Sequence, residues 1–569
     1  MRATAIRPGR WAAGSVALLA AVVAASCAGS SDAGDEQADG SADGSSVEAA
    51  SDVVEAAWTR LGLDLANTRA ADEATIGPDN VAELQPAWEL TGINGVSGTP
   101  IVADDVVYVG DRTGHVRALD AATGDERWAR DLATNYIGGA VALDESRVFV
   151  GTFNARMVAL DRATGEPRWE TQLGDHPQAV IFGSPIVVDG LVIVGIGSFE
   201  VFAGGESPTF RGHVVALDAE TGREAWRFWV TAGDETEGPG VSIWSSPAID
   251  RERGVLYIGT GQAYAPPAPP RSDALLALDV RTGSEVWAQQ FTAGDAWTLA
   301  NPTGLDADVG AAPNLFRVDG TDAVGVGDKA GVYWALDRET GEELWSRPLT
   351  EGGLQGGVMA SAAVDGDRVY VASNRASQDA DLVALDTDTG AEVWRVDVGA
   401  HVTGPVTWAN DVVFVADDSG RIAGYAAEDG EMLWSHGVAS PAAGGIAVVD
   451  GTVYAGWGWW LASPPPDPQG GLVAFRLGGD GGEPSGAGEE ATATGEDVYR
   501  TSCATCHGGA GEGGSGPSLV GVDDRLTRSE QIEIVREGRG SMPAWKDTLD
   551  PDEIEAVVDY QRSVLAEGG

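Results

Sequence analysis

The residues with the most specific chemical signature lie near the C-terminus, in the sequence Cys503-Ala504-Thr505-Cys506-His507. A C-x-x-C-H sequence is the attachment site of a c-type haem, in which two thioether bonds hold the porphyrin and the histidine binds the iron. A zinc site would need further Cys or His residues, and none follows in the chain. A thioredoxin-like site would need a βαβ context, which is absent. The motif therefore predicts haem c attached to Cys503 and Cys506, with His507 as an iron ligand.

A second iron ligand is predicted at Met542, in Ser541-Met542-Pro543. Methionine opposite histidine is a common ligand pair of cytochromes c and raises the reduction potential of the iron. The alternative for a lone methionine is packing in the core. The S-M-P context, at this distance from C-x-x-C-H, favours the ligand.

Helix signals surround these ligands. Thr527 and Glu530 form a capping-box pattern before an amphipathic run, and Pro551 suits the first position of a last helix. Residues 478–495 are rich in Gly and Glu and read as a linker. We therefore expect an all-α cytochrome c domain over residues 496–569.

The middle of the chain is organised by a repeated phrase, A-L-D-x-x-T-G-x-x-x-W. Short β-rich runs such as Asp105–Gly110 precede the copies, so each unit consists of strands joined by tight turns. The copies are Ala118–Trp128, Ala159–Trp169, Ala216–Trp226, Ala277–Trp287, Ala335–Trp345 and Ala384–Trp394, with a degraded copy at Gly424–Trp434.

The spacing of the repeat tryptophans predicts a closed ring. With Trp88 there are eight such positions, separated by 40, 41, 57, 61, 58, 49 and 40 residues. Eight four-stranded units fit an eight-bladed β-propeller over residues 57–477. Trp88 has no strands of its own before it, and the last strands have no Trp phrase after them, so the two halves should join into one blade. The long spacings before Trp226, Trp287 and Trp345 place extra loop residues there, and such loops on a rigid scaffold carry function.

The phrase on an eight-bladed ring resembles the pyrroloquinoline quinone (PQQ) dependent dehydrogenases. The opening segment is similar as well, with Trp58, Leu61-Gly62-Leu63-Asp64 and Asn67-Thr68-Arg69. The resemblance covers about residues 57–477 and points to quinohaemoprotein alcohol dehydrogenases of the polyvinyl-alcohol dehydrogenase type. Non-enzymatic propellers that assist outer-membrane assembly carry the same phrase, so the site residues must decide between the two.

The resemblance implies a cofactor site. Glu200 and Gln262 match the family's calcium ligands, which suits an ion that prefers hard oxygen donors. Gln262 stands where the family usually has Asn, and Glu206 is the alternative to Glu200. Trp244, in a W-S-S-P context, matches the indole on which the quinone ring lies. Lys329 matches the cation that contacts the quinone oxygens and would stabilise its reduced, anionic form.

The resemblance also implies a catalytic aspartate. The family's W-D-x-D pattern fails after Asp295, but Asp306 and Asp308 follow in a D-x-D-x-G sequence. In an extended strand these two side chains would face the same side, where they would raise one pKa or jointly hold a cation. We expect Asp306 to be the base, with Asp308 supporting the metal or sharing the role, and Asp295 as the reserve candidate.

Composition limits the partners. The chain has 569 residues, 87 acidic and 36 basic, and a formal net charge of −51. This charge argues against nucleic acid as a partner and favours a basic electron acceptor. A hydrophobic content of 43% argues against global disorder.

The N-terminus reads as an export address. A basic start and an apolar run over residues 1–27 predict a secretory signal, and Ala24-Ala25-Ser26-Cys27 resembles a bacterial lipobox. The alternative is secretion with Cys27 removed. Residues 28–56 are small and acidic and read as a disordered tether. We expect an exported protein held by lipid on Cys27 at the outer face of the cytoplasmic membrane, in the periplasm or at the cell surface.

Two functions remain at this stage. In the first, which the resemblance implies, a small or polymeric alcohol is oxidised with PQQ and Ca²⁺ in the propeller, and electrons pass through haem c to an external acceptor. In the second, the propeller is a non-enzymatic binding scaffold beside an electron-transfer cytochrome. Fusion of a cytochrome to the ring favours the first.

Overall fold

The computed structural model describes most of the chain between residues 57 and 565. Cys27, Glu206 and Cys506 lie outside the described residues, as do the signal and tether segments. The described ranges are 57–134, 136–202, 208–233, 236–302, 304–353, 356–377, 379–458, 470–478, 495–499, 503, 507, 517–523, 525–539, 542, 545–546 and 551–565.

The repeated phrase forms the third and fourth strands of successive antiparallel sheets, and the described residues contain eight such sheets. This confirms the predicted all-β eight-bladed propeller. Two short 3-10 turns, Val81–Glu83 and Phe199–Phe202, accompany the strands.

The first blade consists of β3 (Ile101–Ala103), β4 (Val106–Gly110), β5 (His115–Asp120) and β6 (Glu126–Asp131), and the second of β7 (Ala142–Leu143), β8 (Arg147–Gly151), β9 (Arg156–Asp161) and β10 (Pro167–Gln172). The third blade consists of β11 (Ala179–Val180), β12 (Ile186–Val188), β13 (Leu191–Ser198), β14 (His213–Asp218) and β15 (Glu224–Trp229). The fourth consists of β16 (Ala248–Asp250), β17 (Val255–Gly259), β18 (Ala274–Asp279) and β19 (Glu285–Gln290).

The fifth blade consists of β20 (Asn314–Val318), β21 (Thr321–Gly327), β22 (Val332–Asp337) and β23 (Glu343–Pro348), and the sixth of β24 (Ala363–Val364), β25 (Arg368–Asn374), β26 (Ala380–Asp386) and β27 (Glu392–Asp397). The seventh blade consists of β1 (Ala70–Ala71), β28 (Thr407–Ala409), β29 (Val412–Ala416), β30 (Arg421–Ala426) and β31 (Met432–Gly437). The eighth consists of β2 (Leu84–Ile93), β32 (Ile446–Val449), β33 (Thr452–Trp457) and β34 (Gly470–Leu477).

The ring closes in the eighth blade, as predicted. Strand β2, from the start of the propeller, pairs antiparallel with β34 at its end, with Leu84 opposite Leu477. Closure pairs sheet edges that would otherwise be open to other chains.

Each repeat tryptophan docks onto the next blade. The Trp128 indole N–H donates to the Arg162 carbonyl (3.1 Å), and Trp226 bonds to Val280 in the same way (2.8 Å). The indole ring of each tryptophan covers the turn glycine of the neighbouring phrase, so a Cβ added at Gly165 would lie 2.5 Å from the Trp128 indole. That glycine also needs its positive φ of 70°. The phrase is therefore one docking unit whose turn and tryptophan serve adjacent blades.

Strand direction places the functional loops together. The four main strands of each blade are antiparallel to their neighbours, and the short β1 is added in parallel beside β28. The loop between the second and third strands therefore lies at the same end as the loop leading to the next blade. The candidate residues from Glu200 to Lys329 all lie in loops of these two kinds. One end of the ring therefore carries them.

The described C-terminal residues form helices around a small core. The helices are α1 (Gly495–Val498), α2 (Arg528–Glu537) and α3 (Pro551–Tyr560), which is followed by a π-helical turn, Gln561–Leu565. The predicted capping box is present, because Thr527 accepts from the Glu530 amide while the Glu530 side chain accepts from the Thr527 amide. Pro551 begins α3, as predicted.

No helix in the described part of the chain is long and apolar enough to cross a membrane.

Candidate active site

Five predicted residues meet in the loops of the fourth and fifth blades. Trp244 precedes β16, Gln262 follows β17, Asp306 and Asp308 lie between β19 and β20, and Lys329 follows β21. Trp244 is half-buried, and the other four are at most 6% exposed.

Backbone hydrogen bonds between these loops fix their positions. The Val241 amide donates to the Gln262 carbonyl (2.9 Å), which holds the Trp244 segment against the Gln262 loop. The Val309 amide donates to the Thr260 carbonyl (2.9 Å), and the Lys329 amide donates to the Asp308 carbonyl (2.9 Å). Four loops that are distant in sequence are thus joined at the level of the main chain.

Asp308 is the centre of the side-chain network. Its Oδ1 accepts the Gln262 backbone amide at 2.7 Å, and its Oδ2 accepts the Trp244 indole N–H at 3.2 Å. The Lys329 ammonium lies 3.8 Å from the same Oδ2. Asp308 therefore fixes the orientation of the indole and faces the cation.

Asp306 forms the closer ion pair. Its Oδ2 accepts from the Lys329 Nζ at 2.5 Å, and both side chains are almost fully buried. The expectation of an extended strand is wrong here, since residues 304–313 form a loop and Asp306 has a φ of 59°, in the left-handed region. Both carboxylates nevertheless face the same ammonium, because the loop turns between them. Lys329, one of only two lysines in the chain, is not a solvated surface group.

Burial raises the pKa of both carboxyl groups. For Asp306, burial is the largest cause and the nearby Asp308 charge adds to it, while Lys329 opposes both; the result is a pKa of about 7. The pKa of Asp308 is also raised by burial, again opposed by Lys329. A carboxyl group with a pKa near neutrality is suited to exchange protons with a substrate.

The Asp295 carboxylate is bound to the main chain of the loop that carries Asp306. Its two carboxylate oxygens accept the backbone amides of Leu305 (2.8 Å) and Ala307 (2.9 Å), on either side of Asp306. A Cβ added at Gly304 would lie 1.9 Å from the Asp295 Oδ1, so the loop packs directly on this side chain. Asp295, which is 3% exposed, therefore holds the loop that carries Asp306.

The Trp244 ring lies on Gly310. A Cβ at that glycine would come within 1.7 Å of the ring, so no other residue fits there without displacing the indole. Glycine beneath the ring and Asp308 at its edge set the plane of a flat, half-buried aromatic surface.

Glu200 forms no hydrogen bond or ion pair with these five residues in the described part of the chain. Its carboxylate accepts the amides of Thr209 (3.0 Å) and Phe210 (2.8 Å), and it lies 3.4 Å from the His176 Nε2. The segment is tied to the site indirectly, since the Ser242 hydroxyl accepts the Ser198 amide (3.0 Å). Among the described residues, no three His, Cys, Asp or Glu side chains are close enough to hold a metal ion by themselves.

Sequence reasoning missed Asp273. This residue is fully buried, its backbone amide donates to the Gly261 carbonyl (3.1 Å), and neither of its carboxylate oxygens has a hydrogen-bond partner in the described part of the chain. The neighbouring Ser272 hydroxyl donates to the Pro269 carbonyl. Burial, with the charge of Asp308 as the next cause, raises the pKa of Asp273 well above its usual range. No sequence motif includes Asp273, because its burial results from the hydrogen bond of its main chain to the distant Gly261.

Two of the predicted haem-binding residues, Cys503 and Met542, lie at the same core of the C-terminal domain. Cys503 is buried in the core of that domain, and Met542 packs against the same core. The His507 Nδ1–H donates to the Pro517 carbonyl at 2.7 Å, which leaves Nε2 as the nitrogen available to iron. Pro517 is a second residue that the sequence did not mark.

Family models match three regions of the chain. The PQQ model, described as the β-propeller domain of glucose, ethanol and alcohol dehydrogenases, matches residues 58–356. A model of the outer-membrane protein assembly factor BamB matches residues 329–480, as the shared repeat phrase leads one to expect. A model of subunit III of cbb3-type cytochrome c oxidase matches residues 490–560.

Several characterised proteins are similar over most of the chain. A polyvinylalcohol dehydrogenase of Pseudomonas sp. is 30% identical over 500 residues, which cover 76% of this chain and 74% of that protein. The quinohemoprotein alcohol dehydrogenase ADH IIB of Pseudomonas putida is 26% identical over 91% of this chain and 94% of its own length.

Solved structures agree on the fold. The quinohemoprotein alcohol dehydrogenase ADHIIG of Pseudomonas putida superposes with a TM-score of 0.67 at 23% identity, covering 90% of this chain and 95% of that chain. The quinohemoprotein alcohol dehydrogenase of Comamonas testosteroni superposes with a TM-score of 0.66 at 23% identity, covering 90% of this chain and 96% of that chain.

The propeller match, the similar relatives and the C-terminal cytochrome match together identify the family. The chain belongs to the PQQ-dependent alcohol dehydrogenases, a family of oxidoreductases, and among them to the quinohaemoproteins, in which a cytochrome c domain follows the propeller.

Proposed function

We propose that this chain oxidises a hydroxyl-bearing substrate at the end of the propeller that carries Asp306 and passes the electrons through haem c to an external acceptor. The observation that carries the proposal is the buried ion pair of Asp306 and Lys329 beside the indole of Trp244. A buried, paired carboxylate at a loop end of a rigid ring is typical of a catalytic site.

The residues present fit PQQ. Trp244 offers a flat, half-buried face whose plane is set by Gly310 and Asp308, and Lys329 supplies a fixed positive charge for the oxygens of an anionic quinone. We assign Trp244 and Lys329 as the residues that hold the cofactor. When bound, PQQ accepts the hydride equivalent removed from the alcohol carbon.

Asp306 takes the hydroxyl proton in this proposal. Its raised pKa makes it a stronger base than an exposed aspartate, and Lys329 keeps part of it ionised near neutral pH. Asp308 holds the Trp244 indole and the Lys329 ammonium in place. Its negative charge also helps to raise the pKa of Asp306. Asp295 holds the main chain on both sides of Asp306, so that the base is positioned before the substrate arrives.

We propose Glu200 and Gln262 as ligands of a calcium ion. Carboxylate and amide oxygens suit that ion chemically. No hydrogen bond joins the Glu200 and Gln262 side chains in the described structure, and other oxygens would contribute to the coordination sphere. No catalytic step is assigned to the ion.

The electron route uses the haem ligands predicted from the sequence. Cys503 and Cys506 attach the porphyrin, and His507 and Met542 bind the iron. The hydrogen bond from His507 to Pro517 supports this assignment, because it fixes the imidazole with Nε2 free for the metal. We propose the domain limits given above, residues 57–477 for the propeller and 496–569 for the cytochrome.

We also propose that the protein is exported and held by lipid on Cys27, with residues 28–56 as the tether. The acceptor that collects electrons would be a basic protein, since the chain carries a net charge of −51. Replacing Cys27 by alanine should release the protein from the membrane fraction, and retention there would count against the lipid anchor.

The test of the enzymatic proposal uses the full chain with matured haem, loaded with PQQ and Ca²⁺. Reduction of the haem band is followed with primary, secondary and polymeric alcohols. The Asp306→Asn variant should lose turnover and keep its haem spectrum, whereas Asp367→Asn, at an exposed turn, serves as the matched control. Haem that stays oxidised with every alcohol would refute the function, and substantial turnover by Asp306→Asn would remove Asp306 from the mechanism.

A further inference from the structure

Three buried residues form a closed cycle of hydrogen bonds beside the candidate active site. The Ser198 amide donates to the Ser242 hydroxyl oxygen at 3.0 Å, and the Tyr264 hydroxyl donates to the Ser198 carbonyl at 3.2 Å. The hydroxyl oxygens of Ser242 and Tyr264 lie 2.5 Å apart. Since the Tyr264 proton is used on the Ser198 carbonyl, the Ser242 proton lies on the Tyr264 oxygen, and every donor in the cycle has one acceptor. All three residues are at most 6% exposed, so the cycle is shielded from solvent.

On one side, the cycle is connected to Glu200. The Glu200 amide donates to the Ser198 hydroxyl at 3.0 Å. The Phe210 amide donates to the Glu200 carboxylate at 2.8 Å, and the Phe210 ring stacks on the Tyr264 ring with 6.3 Å between the centroids. Both the main chain and the carboxylate of Glu200 are therefore linked to Tyr264, the first through Ser198 and the second through Phe210.

On the other side, the cycle is connected to Trp244 and Gln262. Ser242 lies two residues before Trp244, and Tyr264 lies two residues after Gln262. Between these segments, the Val241 amide donates to the Gln262 carbonyl at 2.9 Å. Val241 has a φ of 53°, in the left-handed region, which is unfavourable for a β-branched residue. Such a conformation persists only where the surrounding contacts impose it, and it occurs preferentially at functional sites.

We propose that Tyr264 is a positioning residue of the cofactor site, and that its hydroxyl holds Glu200 and Gln262 in the relative positions from which both side chains reach one cation. Glu200 lies in a loop of the third blade and Gln262 in a loop of the fourth, so their ligand atoms must be aligned across a blade boundary. Tyr264 itself contacts neither the ion nor PQQ, because its hydroxyl is used within the cycle. The inference rests on the calcium and PQQ site of the proposed function.

The test measures retention of the cofactor, with no need for turnover. The full chain with matured haem is freed of PQQ and incubated with PQQ over a series of Ca²⁺ concentrations. After gel filtration, the retained PQQ is released and measured by its absorbance. Tyr264→Phe keeps the ring and loses only the hydroxyl, so it should raise the Ca²⁺ concentration at half-maximal retention by about 10- to 100-fold, the usual effect of removing a group that orients metal ligands. Saturating Ca²⁺ should restore both retention and turnover.

Tyr257→Phe is the matched control. Tyr257 is also buried in the fourth blade and donates its hydroxyl to a main-chain carbonyl, that of Arg338 (3.0 Å), but it lies outside the cycle. Its variant should lose stability in urea unfolding as Tyr264→Phe does, and should keep the wild-type Ca²⁺ dependence. Ser242→Ala should reproduce the shift of Tyr264→Phe, and the double variant should add little to either single change, because one break already opens the cycle.

The outcomes separate this inference from the proposed function. A shifted Ca²⁺ dependence in Tyr264→Phe and Ser242→Ala, with none in Tyr257→Phe, would support the inference. The same Ca²⁺ dependence in the wild type and in both cycle variants would overturn it and leave the function standing. An equal shift in Tyr257→Phe would also overturn it, since the loss of any buried tyrosine hydroxyl would then have the same effect. A wild-type protein that retains no PQQ at any Ca²⁺ concentration would overturn the proposed cofactor site, and the inference with it.

Discussion

Removing one or the other member of the Asp306–Lys329 pair should have unequal consequences for stability and similar ones for catalysis. In Lys329→Met, two buried carboxyl groups lose the ammonium that lies 2.5 and 3.8 Å away. In Asp306→Asn, Lys329 keeps Asp308 as a partner. Buried charges are tolerated only when they are paired, so the lysine variant should be the unstable one.

The magnitudes follow from the distances. At an effective dielectric constant of 20, the attraction of Lys329 is about 7 kcal/mol to Asp306 and about 4 kcal/mol to Asp308. Protonation of the carboxyl groups recovers part of this, so the net loss in Lys329→Met should be about 3–5 kcal/mol. Asp306→Asn should cost less than Lys329→Met, because Lys329 keeps Asp308 as a partner and the repulsion between the two carboxylates is relieved. It should lower kcat by about 10²- to 10⁴-fold.

The loss should also depend on pH. Without Lys329 the pKa of Asp306 rises further above its ordinary value of 3.8, because no ammonium then opposes the burial and the Asp308 charge that raise it. A raised carboxyl pKa means stability that is present at low pH and is lost as the pH rises. The destabilisation of Lys329→Met should therefore be larger at about pH 8 than at about pH 5.

The assay is urea unfolding of the full chain, followed by tryptophan fluorescence for the propeller and by haem absorbance for the cytochrome. Lys546→Met is the matched control, since Lys546 pairs with Glu537 at 2.6 Å but is 45% exposed, and it should change stability by about 1 kcal/mol or less. A propeller of Lys329→Met as stable as the wild type at about pH 8 would refute the role given to the buried pair.

Three further outcomes follow from buried polar groups. Burial lowers the pKa of His213 to about 4, so about 3 kcal/mol of stability should be lost as the pH falls from about 6.5 to about 4, and His213→Gln should remove this loss in urea titrations. Arg69 is fully buried and donates to the carbonyls of Val406 (2.7 Å) and Ile446 (3.1 Å), so Arg69→Met should cost about 3 kcal/mol of unfolding free energy; a loss under about 1 kcal/mol would contradict this. Asp295→Ala should lower kcat about 10- to 100-fold with an unchanged haem spectrum, since the loop that bears the base loses two acceptors, and equal kcat would show that the loop holds itself.

The ring could be predicted from the sequence because its determinants are local. The turn glycine and the tryptophan of each phrase lie within a few residues of each other, and the docking between blades repeats the same contact, as in Trp128 on Gly165. Closure of the ring could be predicted from the number of repeat units, since the Trp88 segment lacks preceding strands and the last unit lacks a tryptophan phrase. The two segments pair in one blade.

The site was predicted less completely, because its properties depend on contacts between distant segments. A lone Lys329 in the sequence gives no sign of its burial, which results from loops of two blades converging on it. Asp295 was expected as a reserve base, and only the approach of residues 304–307 shows that it serves their amides. The extended conformation assumed for Asp306 was wrong, since its positive φ of 59° is decided by the loop.

The pairing of Leu84 with Leu477 has a consequence for biogenesis. The eighth blade takes its outer strand from the start of the propeller and its other three from the end, so synthesis must pass almost the whole ring before that sheet can form. Until then, the open edge of β2 and the unfilled face under Trp434 remain available to other chains. Closing so long a segment is entropically unfavourable and slow. We expect ring closure to be the last step of propeller folding, and chains truncated before β34 to aggregate instead of accumulating as seven-bladed proteins.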